Sequence, residues 1–272
     1  MGDVRRYSEK KQCGNMKISR DQKTRLNITF TMIALALIAL ATATYAWFTL
    51  SLSTKITTID MEVTAGAYLK FDTESHGNTI DSYKSVLESS DIDRAIQKAL
   101  GFGLDDVKLA PLTSEDGKKL HDQKAAEVLS SSKNFLEFDL YFISSQDMDV
   151  YLTEEDSIAG QKDGTDFSTS ETGGKADVLN CIRVSFAPDG GSSVIYEPHK
   201  VGSTTLSVLG KGTQDTFTKA KTGDADAKLF SLTAETPKKV TVRVWIEGDD
   251  DDCIDKVIKA TFSGRLRFEG QV

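Results

Sequence analysis

The chain has 272 residues, of which 39% are hydrophobic and 27% charged, a composition typical of a globular protein with a buried core. Its formal net charge of −8 is unevenly distributed, because residues 1–25 carry eight Lys and Arg against three Asp and Glu, and the rest of the chain carries −13. Such an acidic body repels phosphate backbones, so nucleic acid is excluded as an expected partner.

The first predicted element is a hydrophobic membrane helix over residues 26–50, which contain no charged side chain. Ile28–Leu50 comprises 23 residues, and a helix of that length spans about 34 Å, enough to cross the hydrocarbon core of a bilayer. The basic residues 1–25 then form a cytoplasmic head, and residues 51–272 form a domain outside the cell. We therefore expect a protein of the cell membrane and extracellular surface, with the membrane as a partner.

Two interpretations of this helix, a permanent anchor and a signal peptide, stay open. Thr44-Tyr-Ala46 forms a small-x-small cleavage site, which would release a chain beginning at Trp47 and make signal peptidase a partner. The length of the apolar segment favours an anchor, whereas its most apolar part, Met32–Ala41, has the length of a signal-peptide core.

After residue 50 the sequence predicts a mainly β protein, because apolar residues recur with a period of two. The clearest alternation predicts half-buried strands at Leu136–Phe142, Ile182–Phe186, Val240–Ile246 and Phe262–Phe268. Shorter predicted strands are Ile59–Val63, Tyr68–Phe71, Val150–Leu152, Val194–Tyr196 and Thr205–Leu209. Many short strands favour an antiparallel β-sandwich or jelly roll with one or two short inserted helices.

The helical patterns are few. Asp91–Leu100 begins with a capping Asp, has apolar residues at helical spacing and is followed by the stop residue Gly101. Lys118–Leu129 is a second, weaker helix prediction. Glu154–Lys175 is rich in Gly, Ser, Thr and Asp, and we predict that it forms a long surface loop.

No catalytic motif marks the chain as an enzyme. Its three histidines lie far apart, and it lacks H-E-x-x-H, G-x-S-x-G, the P-loop and G-x-G-x-x-G. We therefore predict that the protein is not an enzyme. The alternative is an exported hydrolase that uses dispersed Asp and Glu residues.

An acidic stretch directly follows the predicted strand at 240–246. Glu247–Asp255 contains six carboxylates in nine residues, and such hard oxygen ligands could hold Ca²⁺ outside the cell. The candidate ligands are Glu247, Asp249, Asp251 and Asp252. Their spacing matches no EF-hand loop, so a solvated acidic turn is the alternative, and no other cofactor is expected.

Cys181 and Cys253 are the two cysteines of the exported part. In an oxidising compartment they could form one disulfide, which would close a loop of roughly 70 residues and contribute about 4 kcal/mol through chain entropy. The alternative is two free thiols, one of them buried.

The segment Trp47–Val63 follows the cleavage site and alternates weakly. A freed N-terminal strand could add to the sheet of a neighbouring copy, as in donor-strand complementation. Its contact residues would be Trp47, Phe48, Ile59, Met61 and Val63. Alternatively, the strand pairs within its own domain, or merely links that domain to the membrane.

Two short motifs near the N-terminus, Thr44-Tyr-Ala-Trp-Phe48 and Ala65-Gly-Ala-Tyr-Leu69, resemble those of the TasA/camelysin family of Gram-positive surface proteins. In that family a dedicated signal peptidase cuts beside such an element, and the mature chain begins with a strand leading to an A-G-x-L motif. Other stretches resemble uncharacterised Gram-positive surface proteins that share this N-terminus. They are Leu109–Gly117, Phe138–Phe142, Ile182–Ser185 and Val244–Asp249 followed by Cys253.

The resemblance implies a jelly-roll subunit of extracellular fibres in a biofilm matrix. Assembly in that family inserts the N-terminal strand of one subunit into the next, which here would be roughly Trp47–Val63. We therefore expect an exported structural protein that associates with itself into fibres. The alternative is a membrane-anchored binding or adhesion module that presents loops such as Glu154–Lys175. The protease activity described for camelysin is not expected, because the histidines are not clustered.

Overall fold

The computed structural model describes residues 28–35, 54–63, 68–153, 164–199, 216–217, 227–253 and 255–272. The chain divides into two compact units, Met1–Phe48 and Thr49–Val272. In the first unit, residues 28–35 are helical and expose their large apolar side chains. Among the described residues, no helix has both the length and the hydrophobicity needed to cross a bilayer. The rest of the membrane helix predicted over 26–50 lies outside the described residues, as do Thr44, Ala46, Trp47 and Phe48.

The second unit is mainly β, as the sequence predicts. Its strands are β1 (Lys55–Val63), β2 (Leu69–Asp72), β3 (Val86–Leu87), β4 (Pro111–Leu112), β5 (Leu120–His121), β6 (Glu127–Val128), β7 (Leu136–Ser144), β8 (Met148–Leu152), β9 (Asp166–Ser168), β10 (Ile182–Pro188), β11 (Val194–Tyr196), β12 (Thr216–Phe217), β13 (Phe230–Leu232), β14 (Lys238–Glu247) and β15 (Thr261–Gln271). Its described α-helices are α1 (Ser89–Leu100) and the single turn α2 (Val178–Cys181). The predicted strand at Thr205–Leu209 lies outside the described residues.

The strands form two large sheets and one small hairpin within the described part of the unit. Sheet 1 has the order β13-β8-β15-β1-β3, and β9 also pairs with β15. Sheet 2 has the order β12-β11-β10-β14-β7-β2, and β4 also pairs with β14. The hairpin consists of β5 and β6.

A layer of phenylalanines joins the two sheets face to face. Phe268 of sheet 1 lies 5.0 Å from Phe142, 5.8 Å from Phe71 and 5.9 Å from Phe186, measured between ring centroids, and these three belong to sheet 2. Most of these rings meet edge to face, the arrangement that the charge distribution of aromatic rings favours. The alternating apolar residues of the long strands therefore face a common core, as expected of a sandwich.

Most described strand pairs are antiparallel, as expected, but β1 pairs differently with its main neighbour. This strand runs parallel to β15 over eight register pairs, from Lys55 with Thr261 to Val63 with Phe268. Parallel neighbours cannot be joined by a tight hairpin, but here nearly the whole domain connects the two strands. The pairs β4–β14 and β11–β12 are also parallel.

Helix α1 confirms the stronger helix prediction, although it begins at Ser89 rather than at Asp91. The Asp91 carboxylate accepts a hydrogen bond of 3.2 Å from the backbone N–H of Glu88, which satisfies a donor at the start of the helix. The helix ends at Gly101, whose φ of +78° is readily adopted by glycine alone.

The second predicted helix, Lys118–Leu129, is wrong, because the segment forms the β5–β6 hairpin. The Asp122 carboxylate accepts hydrogen bonds from the backbone N–H groups of Lys124 and Ala126, at 2.8 and 3.0 Å. This local turn competes successfully with the helix, as short polar side chains commonly do.

The long loop predicted at Glu154–Lys175 is partly wrong. Its described portion contains β9, which pairs with β15 and buries Phe167. The Phe167 ring lies 6.3 Å from that of Phe262, between centroids. A single phenylalanine in a polar stretch was the sequence signal for this strand.

We predict that Phe268→Ala lowers the free energy of unfolding by about 4 kcal/mol, because it empties the space where the rings of both sheets meet. Chemical denaturation of the full-length chain in detergent measures the change. Leu129→Ala is the control, since Leu129 is 65% exposed, and it is expected to change stability by less than about 1 kcal/mol. Equal losses in the two variants would contradict this account of the core.

Candidate functional site

The predicted donor-strand residues that the structure describes lie inside their own domain. Ile59, Met61 and Val63 are buried in β1, which lies between β15 and β3 of the same chain. The backbone N–H of Ile59 also donates to Ser89 Oγ at 2.8 Å, so α1 holds the strand as well. The structure thus shows the strand paired within its own domain, one of the alternatives considered above.

The acidic segment that begins at Glu247, the last residue of β14, is folded back onto sheet 2 rather than solvated as a simple turn. Glu247 is 0% exposed and Asp250 is 8% exposed. The backbone N–H of Gly248 donates to the carbonyl of Leu112 at 2.8 Å, which draws the segment against β4. Its carboxylates therefore need partners inside the protein.

Arg183 supplies the principal positive charge of this region and is 0% exposed. Its Nη2 lies 2.6 Å from Asp250 Oδ2 and 2.8 Å from Glu197 Oε1. Its Nη1 donates to the carbonyl oxygens of Asn180 and Ile182, at 2.8 and 3.0 Å. One guanidinium thus joins β10, the end of β11 and the acidic segment, using several donors of its planar fork. We call Arg183, Glu197 and Asp250 the Arg183 cluster.

The cluster is buried because the outer face of sheet 2 is covered at this end. Arg183 pairs in register with Trp245, which is itself 0% exposed. Nearby, Ser185 Oγ donates to the carbonyl of Gly117 at 2.6 Å, so the segment before β5 lies over the sheet. Gly117 has a φ of +64°, and a Cβ there would come within 2.8 Å of the Ser185 Cβ, so only glycine fits. Strand β10 is consequently buried on both faces, whereas its alternation predicted one exposed face.

Glu247 borders the Arg183 cluster in a hydrogen-bonded site of its own. The indole Nε1 of Trp245 donates to its Oε2 at 3.2 Å, and the backbone N–H of Asp249 donates to its Oε1 at 3.3 Å. Burial raises the pKa of Glu247 to about 7, although the indole hydrogen bond and the charge of Arg183 oppose this shift. Glu247 is therefore a buried carboxyl group that titrates near neutral pH.

The structure does not bring together Glu247, Asp249, Asp251 and Asp252, the predicted calcium ligands. In this segment, which is described apart from residue 254, no three His, Cys, Asp or Glu side chains are arranged to hold a metal ion. Asp252 instead accepts a hydrogen bond of 3.1 Å from Asn180 Nδ2, and Asp251 is exposed. Asp252 therefore has a protein donor of its own, and the four candidate carboxylates are not gathered around a common point.

Cys181 and Cys253 lie together at the edge of this region but are free thiols in the structure, so the predicted disulfide is not formed. A hydrogen bond with Cys253 and burial both raise the pKa of the Cys181 thiol above its ordinary value. Cys181 is 0% exposed, whereas Cys253 is partly exposed. The neighbouring bond between Asn180 and Asp252 holds the same two segments together.

The arrangement favours a structural role for the Arg183 cluster. Its two carboxylate residues, Glu197 and Asp250, are at most 8% exposed, so a substrate could not reach them without local unfolding. Sequence analysis missed both Arg183 and Glu197. The available signal was Trp245, a large side chain at a position that strand alternation assigns to solvent.

Comparison with known proteins adds no family assignment. No family model matches the chain, and no curated protein or solved structure matches it. The resemblance to TasA and camelysin therefore stays a prediction, and so do the non-enzymatic role, the partners and the location.

We predict that Glu247→Gln removes the decrease in the free energy of unfolding that the ionisation of Glu247 causes as the pH rises from 4.5 through 7. Because the pKa is about 7 in the folded state and 4.5 ordinarily, the folded state retains a proton that the unfolded state releases between these values. The contribution to the free energy of unfolding is therefore full below pH 4.5 and is lost as pH rises through 7, a change of about 3 kcal/mol.

Denaturation curves of the full-length chain from pH 4.5 to 8 measure this effect. The Glu247→Gln variant should gain stability relative to the unsubstituted chain as the pH rises. Glu127→Gln, at an exposed residue, is the matched control. Its free energy of unfolding should differ from that of the unsubstituted chain by the same amount at every pH. Parallel pH profiles for the unsubstituted chain and Glu247→Gln would contradict the assigned titration.

We also predict that Cys253 is alkylated before Cys181 in the folded protein. The thiolate is the reactive form, and burial with a raised pKa suppresses it at Cys181. Timed iodoacetamide labelling followed by peptide mass spectrometry gives the two rates. In denaturant the rates should become similar, and equal rates in the folded state would show that the burial of Cys181 is not protective.

Proposed function

We propose that the chain is an exported cell-surface structural protein, a TasA-like fibre or matrix subunit, whose copies associate by exchanging β1. In this proposal the subunit is a jelly-roll sandwich, and cleavage beside Ala46 releases the segment that contains β1. The observation that carries the proposal is the position of β1. In the described part of the domain, the first strand, β1, pairs with the last strand, β15, from Lys55 to Val63, with one bulge between Ile56 and Thr58.

An equivalent strand from another copy would find the same partners in the slot beside β15. Four apolar residues of β1 enter the core, and all are at most 7% exposed: Ile56, Ile59, Met61 and Val63. Strand exchange preserves such contacts while moving them between chains, so it costs little energy at equilibrium. Repeated in one direction, it would produce an open-ended fibre.

Charged residues on the opposite face of β1 favour one register of the exchanged strand. Asp60 pairs in register with Arg265, and Glu62 pairs with Arg267. A slip of one residue would exchange the core face for the charged face, and a slip of two would leave only one of these two opposite-charge pairs. The same pairs would therefore specify the joint between two copies.

We predict that a mixture of full-length Asp60→Cys and Arg265→Cys chains forms a covalent dimer on oxidation. These positions are register partners, so the two new thiols meet between chains only if β1 enters the neighbouring copy. Non-reducing electrophoresis measures the dimer, and peptide mass spectrometry distinguishes this link from links through the native cysteines.

Two controls make the result decisive. A single chain with both substitutions tests whether the two positions can be linked at all. A mixture of Ser231→Cys and Asp149→Cys chains probes the register partners of β13 and β8, which the proposal keeps within one chain. Linking in the double variant without linking between the Asp60 and Arg265 chains would refute strand exchange, and so would equal yields from both mixtures.

A further inference from the structure

Cys181 and Cys253 bring two thiols together from distant parts of the sequence. Cys181 is the last residue of α2, directly before β10, and Cys253 lies in the acidic segment that begins at Glu247. A hydrogen bond joins the two side chains. The residues just before them, Asn180 and Asp252, are hydrogen-bonded as well, at 3.1 Å between Nδ2 and Oδ2. Two separate contacts therefore hold the thiols side by side, as closure of a disulfide requires.

The two thiols differ in their access to a reagent. Cys181 is 0% exposed, whereas Cys253 is partly exposed. The hydrogen bond with Cys253, and then burial, raise the pKa of the Cys181 thiol, so Cys181 keeps its proton. Of these two sulfurs, only that of Cys253 is open to a reagent in solvent. A pair of one accessible and one enclosed thiol suits an ordered exchange, in which the accessible sulfur reacts first.

The two cysteines also differ in how firmly the backbone holds them. Cys181 is buried at the junction of α2 and β10, and β10 pairs with β14 along its length. Cys253 lies outside helices and strands, where its backbone N–H donates to the carbonyl of Asp250 at 2.9 Å. Such a segment adjusts its backbone at a lower cost than a paired strand does. Closure of the disulfide therefore needs a shift of the acidic segment and none of the sheet.

We propose that Cys181 and Cys253 form a redox switch that a low-molecular-weight disulfide closes. The Cys253 thiolate attacks one sulfur of the reagent, whose S–S bond breaks, so that a mixed disulfide forms and one thiolate leaves. Cys181 then loses its proton and attacks the sulfur of Cys253, which expels the second thiolate. The protons of the two cysteines end on the two released thiols. In total, the protein is oxidised to one disulfide and the reagent is reduced to two thiols.

The closed switch joins α2 covalently to the acidic segment. Arg183 lies two residues after Cys181, and Asp250 lies three residues before Cys253. The disulfide therefore acts beside the ion pair of 2.6 Å that already links these two segments. Its redox state controls how readily the acidic segment separates from sheet 2. This switch is separate from the β1 exchange proposed above, since neither cysteine belongs to β1 or β15.

Reaction of the reduced full-length chain with oxidised glutathione in detergent tests the proposal. Cys13→Ser is introduced in every sample, so that Cys181 and Cys253 are the only cysteines. The intact mass should fall by that of two hydrogen atoms, and peptide mass spectrometry should find the two cysteines linked. Dithiothreitol should restore the starting mass. A chain that does not react, or that retains glutathione without an internal link, would overturn the proposal.

Two single substitutions separate the roles of the thiols, and circular dichroism confirms that each variant is folded. Cys181→Ala should stop at the mixed disulfide, with one glutathione on Cys253. Cys253→Ala leaves only the enclosed thiol and should react at least about tenfold more slowly. In denaturant the two variants should react at the same rate, which is the matched control. Equal rates in the folded chains would refute the assigned order, and so would a difference that persists in denaturant.

Hydrogen exchange measures the effect of the closed switch on the acidic segment. The amides of residues 247–253 should exchange at least about tenfold more slowly after oxidation, because the link restrains local opening. The amides of α1 are the control and should change less. Unchanged exchange at 247–253 would contradict the proposed restraint, and equal slowing at α1 would show a general stabilisation instead.

Discussion

The parallel pairing of β1 with β15 unites the first and last strands of the described domain, and much of the structure is attached to this pair. Ser89 of α1 accepts the N–H of Ile59, and Leu109 exchanges two backbone hydrogen bonds of 2.8 Å with Thr54 just before β1. About 200 residues separate the partners, so the pairing forms only after the intervening chain is compact. The same feature makes β1 separable from the domain, because among the other described strands of the sandwich only the short β3 depends on β1 for its pairing.

A second constraint is the coverage of sheet 2 on its outer face. Sandwich sheets commonly leave that face to solvent, but here the segments around Gly117 and Gly248 lie over β10 and β14. Arg183 is thereby removed from water together with its carboxylate partners, and the ion pairs must offset the cost of desolvation. Their contribution is to hold three segments of distant sequence in one arrangement. Substitution of Arg183 alone would leave the buried carboxylates of Glu197 and Asp250 without this cation. That would lower the free energy of unfolding by more than the net contribution of the two ion pairs.

Local sequence pattern determined the mainly β class, the long strands β7, β14 and β15 and the end of α1 at Gly101, because each depends on neighbouring residues along the chain. Tertiary structure alone decided that β1 pairs in parallel with β15 and that β10 is buried on both faces. Alternation tells which residues share a face but not which segment covers that face. For the same reason the acidic composition marked the segment after β14 correctly as unusual, yet it predicted calcium where Arg183 and Trp245 are the partners. Arg183 is distant in sequence from the acidic segment, and Trp245 is buried at a position that alternation assigned to solvent. Only folding brings them within hydrogen-bonding distance of the carboxylates.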